Sequence, residues 1–240
     1  MSSHQNTKEP ELSDQLEKGL QISSEEEEEC LISRALFGGA IKLHIPSQWR
    51  DVSLVRQVPD HQECYQDCTF KDGTKRSLQG TGCCLVIEIL AREENLKDED
   101  APTFFFRDLA EVNGGIVGDL DFQAVDTVGK EVPPDDGLQS QSGTITMPNL
   151  SKEVVVCSCA GVQSIAPLKN NTELEEGKAE RVRVELCAVR LQAEETDILL
   201  TLTMPLEKKG VNDSECWKKQ GDLFVRILRS FEVCDWSLFG

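Results

Sequence analysis

Asp60 and Glu63 stand three residues apart in the string VPDHQE, with Asp51 and Arg56 shortly upstream. Two carboxylates at this spacing could divide the work of a general acid and a general base, but that division needs desolvation to push their pKa values apart. The neighbourhood offers none: Ser47, Asp51 and Ser53 are local hydrogen-bonding residues, and Pro59 fixes φ and has no N–H to give to a ladder. The segment reads as a loop or the start of a strand, and its carboxylates as solvated charges. Nothing elsewhere supplies a catalytic constellation. There is no GxSxG elbow, HExxH pair or P-loop, and GGIVGD at 114–119 is a glycine-rich turn without the strand-to-helix context of a phosphate cradle.

The chain has ten cysteines, of which Cys83 and Cys84 are adjacent in an apolar run and Cys157 and Cys159 share one face of an expected strand. No CxxC pair occurs, and His4, His44 and His61 do not fall at zinc-finger spacing. No apolar leader follows Met1, which implies a reducing compartment and small buried thiols in place of disulfides, metal ligands or a bound cofactor. A thiol or metal protein built on Cys83, Cys84, Cys157 and Cys159 is the minor alternative. The net charge of −18 excludes phosphate-neutralising binding to nucleic acid and docking on an anionic membrane, and it favours a basic partner. No apolar stretch reaches the ~20 residues that span a bilayer.

The elements that must position these residues follow from periodicity. In IKLHI, Ile41, Leu43 and Ile45 alternate with Lys42 and His44, a half-buried strand ended by Pro46 and entered through the bend of Gly38 and Gly39. Residues 1–35 hold nine acidic and three basic side chains, including Glu25 to Glu29, and read as a disordered acidic tail, with one domain over 36–240. ECYQDCTF is a short strand, and 70–82 is a turn-rich loop. CCLVIEILA at 83–91 is a strand or a buried helix, with β-branched Val86, Ile87 and Ile89 favouring the strand. TFFFRDLAEV at 103–112 predicts a helix capped by Thr103, with Phe105, Leu109 and Val112 on one stripe. LDFQAVDTV is a strand and PPDDGLQSQSG a loop. Strands follow over 153–165, 181–191 and 197–205, the last two forming a hairpin, and a closing helix over about Ser214 to Arg229 carries Phe224, Ile227, Leu228 and Phe231 toward the core. Successive strands with helices inserted and appended predict a mainly antiparallel sheet flanked by helices.

Several strings, in order, resemble the Ran guanine nucleotide release factor family, small proteins that bind the GTPase Ran. LFGGAI at 36–41, DVS at 51–53 and VPDHQE at 58–63 are similar to its opening motif, TDILLT at 196–201 to its late strand, and DWSLFG at 235–240 to the ending of plant-type members. The resemblance implies an α/β sandwich similar to the photosystem protein PsbP. It implies Ran binding through Asp60 and Glu63, with Asp51 and Arg56 on the matching flanks, release of guanine nucleotide, and a part in nuclear protein import. A non-catalytic monomer working in nucleus and cytoplasm, beside other Ran-binding or import proteins, is the corresponding expectation. The other reading is an acidic interaction module of the same fold that does not use Ran. For Asp51 alone, the residues also allow an N-cap on the DVSLVR turn.

Overall fold

The computed structural model describes residues 30–67, 82–113, 121–127, 147–151, 154–165, 180–206 and 213–240. The expected loops at 70–82 and 133–143 fall almost entirely outside them, as do residues 1–29 of the acidic tail. The compact unit begins at Leu31, inside the stretch assigned to the tail. Leu31–Leu36 forms β1, which pairs antiparallel along its whole length with β2, Ile41–Pro46. A boundary after residue 35 therefore cuts a strand. The acidic run dominates the average over residues 1–35 and hides the few apolar residues, Leu31 and Ile32, that begin the sheet.

Two antiparallel sheets and two helices make up the described fold. The larger sheet uses β3 (Arg50–Asp51), β4 (Gln62–Gln66), β5 (Cys84–Ala91), β6 (Asp121–Thr127), β7 (Val155–Ile165), β8 (Glu180–Leu191) and β9 (Thr196–Pro205), in the order β3-β4-β5-β9-β8-β7-β6. The smaller sheet is β1-β2-β10, with β10 at Glu232–Val233. The segment at 83–91 is thus the strand β5, and β8 and β9 form the expected hairpin.

Strand β8 is apolar on both faces. Val182, Val184, Leu186 and Ala188 pack with Phe105 and Phe106 of the helix α1, Ala101–Val112. Cys187, Val189 and Leu191 face a second core shared with Ile41, Leu43 and Ile45 of β2 and with Phe224, Ile227 and Leu228 of the helix α2, Asp213–Arg229. The large sheet is the middle layer, and its alternation puts apolar side chains on both faces. Arg183 and Glu185, which alternate with Val182, Val184 and Leu186 along β8, are buried as a pair at 2.8 Å. Burial pushes the Glu185 carboxyl up even against the pull of Arg183.

Helix α1 differs in detail from its sequence pattern. It starts at Ala101 with Pro102 in its first turn, where a missing N–H costs nothing, so Thr103 lies inside the helix and is no cap. Its buried face is Phe105, Phe106 and Ala110, while Val112 is exposed.

Candidate functional site

Three of the strings singled out in the sequence meet at one turn. Between β1 and β2 the chain reverses through Phe37, Gly38 and Gly39, all with positive φ, at 49°, 67° and 100°. Gly38 and Gly39 tolerate this conformation, whereas Phe37 is strained there. The strain is braced from another strand: the Phe37 N–H donates to Oε1 of Glu63 on β4 at 2.7 Å. On the other side of the turn, the N–H groups of Cys234 and Asp235 both donate to the carbonyl of Ala40, at 2.7 and 3.1 Å. Asp235 then caps a final turn, accepting from the N–H and hydroxyl of Ser237, which hold its carboxyl below its ordinary value. LFGGAI, the glutamate of VPDHQE and DWSLFG are therefore parts of one structural unit.

The four candidate residues lie along the free edge of the large sheet. Strand β3 is that edge, and its Asp51 pairs with Tyr65 of β4. Asp51 accepts a hydrogen bond from the Ser53 N–H at 2.8 Å, so the capping alternative describes its geometry. The short turn Val52–Leu54 follows, closed by the N–H groups of Val55 and Arg56 on the carbonyl of Val52. Asp60 is exposed in the turn before β4, whose first N–H, that of Gln62, donates to the carbonyl of Pro59. Glu63 is half-buried on β4. The four do not converge on a point. Alternation along β4 sends Glu63 and Tyr65 to one face, toward the glycine turn and the core, and Gln62, Cys64 and Gln66 to the other.

On that second face Gln62 donates to Glu88 at 2.6 Å, and His61 lies 3.3 Å from the same carboxylate. The sulfurs of Cys64 and Cys84 are 3.3 Å apart. The Cys84 thiol, hydrogen-bonded to Cys64, holds the Cys64 thiol below its ordinary value, and the Arg56 guanidinium adds to this by charge and hydrogen bonding against the effect of burial. Cys84 is pushed up by the same hydrogen bond and by burial. The remaining described strand cysteines are core groups: Cys157 and Cys159 donate to the carbonyls of Ala188 and Pro102. Burial raises Cys157 to about 12 and Cys187 well above the ordinary value. Among the described residues no group of three or more His, Cys, Asp or Glu is placed to hold a metal ion, and no helix is long and apolar enough to cross a membrane.

Two features of this region escape the sequence reading. Leu54 and Val55 are 80% and 62% exposed although their neighbour Val52 is buried. No periodicity announces this, because three residues of turn carry no pattern. The other is the TDILLT string, whose Asp197 is wholly buried and accepts from Arg190 at 3.1 Å and from the Glu93 N–H at 3.2 Å. Arg190, also buried, further donates to Asp98 at 2.7 Å and to the carbonyls of Leu96 and Glu93. That string anchors the 92–100 segment to the hairpin end of the sheet.

The edge of the layered sandwich thus carries exposed charged residues, and a motif carboxylate braces a strained turn. Comparison with known proteins gives the family. The family model described as Ran-interacting Mog1 protein matches residues 34–205, and the chain belongs to that family. It is 30% identical over 217 residues to the Ran guanine nucleotide release factor of Danio rerio, covering 87% of this chain and 100% of the relative. It is 24% identical over 215 residues to the nuclear import protein MOG1 of Saccharomyces cerevisiae, covering 85% of this chain and 83% of that one. The crystal structure of the Saccharomyces cerevisiae Ran-binding protein MOG1P superposes with a TM-score of 0.59 at 20% identity, over 89% of this chain and 100% of the other.

Proposed function

We propose that this protein binds Ran and promotes release of its guanine nucleotide, as a non-catalytic regulator in nuclear protein import, working in nucleus and cytoplasm as a monomer. The observation that carries the reading is the sheet-edge corner at VPDHQE, where Asp60 stands free in solvent beside Glu63 in a chain of net charge −18. Asp60 meets a cationic group of the GTPase directly. Glu63 contributes a carboxylate and, by bracing the Phe37 turn, fixes the corner that presents Asp60. Asp51 and Arg56 set the turn between them.

A GTPase holds its nucleotide through a P-loop lysine, backbone N–H groups and Mg²⁺. A carboxylate that draws off a cationic side chain, or repels the phosphates, lowers nucleotide affinity. Coupling of this kind is reciprocal, so nucleotide displaces the protein by the same factor by which the protein displaces nucleotide. Dissociation of labelled guanine nucleotide from Ran, with and without the protein, tests the reading: acceleration supports it, and an unchanged rate at saturating protein removes it.

A further inference from the structure

Cys64 of β4 and Cys84 of β5 hold their sulfurs 3.3 Å apart, a contact between two thiols. The register explains the approach. Cys64 pairs with Val86 and Cys84 with Gln66, so the two cysteines share one face of the sheet and meet along a diagonal. The opposite face of the same strands is the core face, where Tyr65, Leu85 and Ile87 are buried and Cys83 packs against them. Cys64 is buried and Cys84 is partly exposed. The exposed Arg56 brings its guanidinium to the Cys64 sulfur from the turn after β3, and together with the Cys84 thiol it favours the Cys64 thiolate, the nucleophilic form. Cys157, Cys159 and Cys187 have no such setting: they are buried in the core, and desolvation first of all raises their thiols.

We propose that Cys64 and Cys84 are a peroxide-oxidisable dithiol, a modification site that closes reversibly into a disulfide between β4 and β5. The co-reactant is hydrogen peroxide. The Cys64 thiolate attacks one peroxide oxygen, the O–O bond breaks, and the hydroxide released takes up the proton that Cys64 lost and leaves as water. Cys64 is then a sulfenic acid. The Cys84 sulfur attacks the Cys64 sulfur, the S–O bond breaks, and the second water carries away the Cys84 proton. Each sulfur ends one electron more oxidised, and both peroxide oxygens are reduced to water. To bond, the sulfurs close from 3.3 Å to the about 2.05 Å of a disulfide. Diagonal neighbours lie further apart along the strands than directly opposed ones, so closure draws β4 along β5 and leaves the link strained. A strained link is readily reduced again, which suits a reversible switch and not a permanent staple. It also takes away the thiolate that Arg56 faces, next to Glu63 at the sheet edge.

The test treats the reduced full chain with hydrogen peroxide at neutral pH, blocks the remaining thiols by alkylation, and maps the peptides by mass spectrometry. Wild type is expected to yield a peptide pair joined through Cys64 and Cys84, formed at least about tenfold faster than the buried Cys187 is modified, and dithiothreitol is expected to restore both thiols. Cys83→Ser keeps the link, which separates Cys84 from its neighbour in the same peptide. Cys84→Ser cannot close it, so Cys64 stops at the sulfenic acid and is trapped by dimedone. Should a serine variant fail to fold, the wild-type map alone decides. Both thiols still open to alkylation after the exposed Cys30 and Cys234 have been oxidised overturns the proposal, as does a bond from Cys64 or Cys84 to any other cysteine. A folded Cys84→Ser with no dimedone adduct at Cys64 removes Cys64 as the attacking sulfur and overturns it equally.

Discussion

Asp60 and Glu63 belong to one motif, yet their surroundings predict that substituting them has different consequences. Glu63→Ala removes the acceptor for the Phe37 N–H, a half-buried bond of 2.7 Å at a residue with φ of 49°. A hydrogen bond to a charged group contributes about 1.5–3 kcal/mol, and partial solvation puts this one at the lower end. For a protein of this size, about 1.5 kcal/mol lowers the melting temperature by roughly 3–6 °C. Glu63→Gln keeps an acceptor in place and loses only the contribution of charge, so its melt falls between. Asp60→Lys alters an exposed side chain in a turn, and its stability changes by no more than about 0.5 kcal/mol. Ran binding orders the variants differently: charge reversal at Asp60 weakens it most per degree of melting temperature lost, because a like-charge contact across an interface costs on the order of several kcal/mol. Thermal melting and Ran binding measured on the same preparations separate the two orders. An unchanged melt for Glu63→Ala refutes the bracing role, and wild-type binding by a folded Asp60→Lys refutes the contact.

Tyr65, the single tyrosine of the chain, is raised to about 12 by burial first and by the Glu63 charge second. Its absorbance titration should therefore lie above the ordinary range near 10 in the native protein, and lower in Glu63→Gln. Since the folded pKa is the higher one, the stability this phenol contributes is fully present below about pH 10 and is lost as pH rises toward about 12. An ordinary midpoint in the native protein contradicts the packing described. Asp197→Ala leaves the buried Arg190 short of its partner and should cost about 3–5 kcal/mol, read by denaturant unfolding; a loss below about 1 kcal/mol shows that Asp98 and the carbonyls suffice. A chain begun at Leu31 should melt like the full-length protein, whereas one begun at Leu36 lacks β1 and should melt several degrees lower, and equal melts for the two remove β1 from the folding unit.

The strands were legible wherever one face is buried, because alternation then survives in the sequence: β2 reads directly from Ile41, Leu43 and Ile45. Alternation says less of β8, where charged Arg183 and Glu185 stand between Val182, Val184 and Leu186 and yet pair in the interior. Helix α1 was found, but its face was set by Phe106 and Ala110 against β8, information carried by the partner strand and absent from the helix. The start of the fold was missed because β1 is short and follows a run of glutamates. At the candidate site, the residues alone read as solvated loop carboxylates and allowed Asp51 to be a cap, and only the family resemblance singled out the corner. It could not show that Glu63 reaches across 26 positions of sequence to the Phe37 N–H, nor that Leu54 and Val55 face outward. Those depend on the antiparallel register of β4 and on the direction of a three-residue turn, which only the assembled fold specifies.

The central claim is that the VPDHQE corner engages Ran and loosens its nucleotide. The most direct measurement is the dissociation rate of labelled GTP from Ran in the presence of saturating wild-type protein and, in parallel, of folded Asp60→Lys. The account predicts acceleration by wild type and a rate indistinguishable from Ran alone with the variant. Equal acceleration by both proteins contradicts the placement of the site, and acceleration by neither contradicts the function.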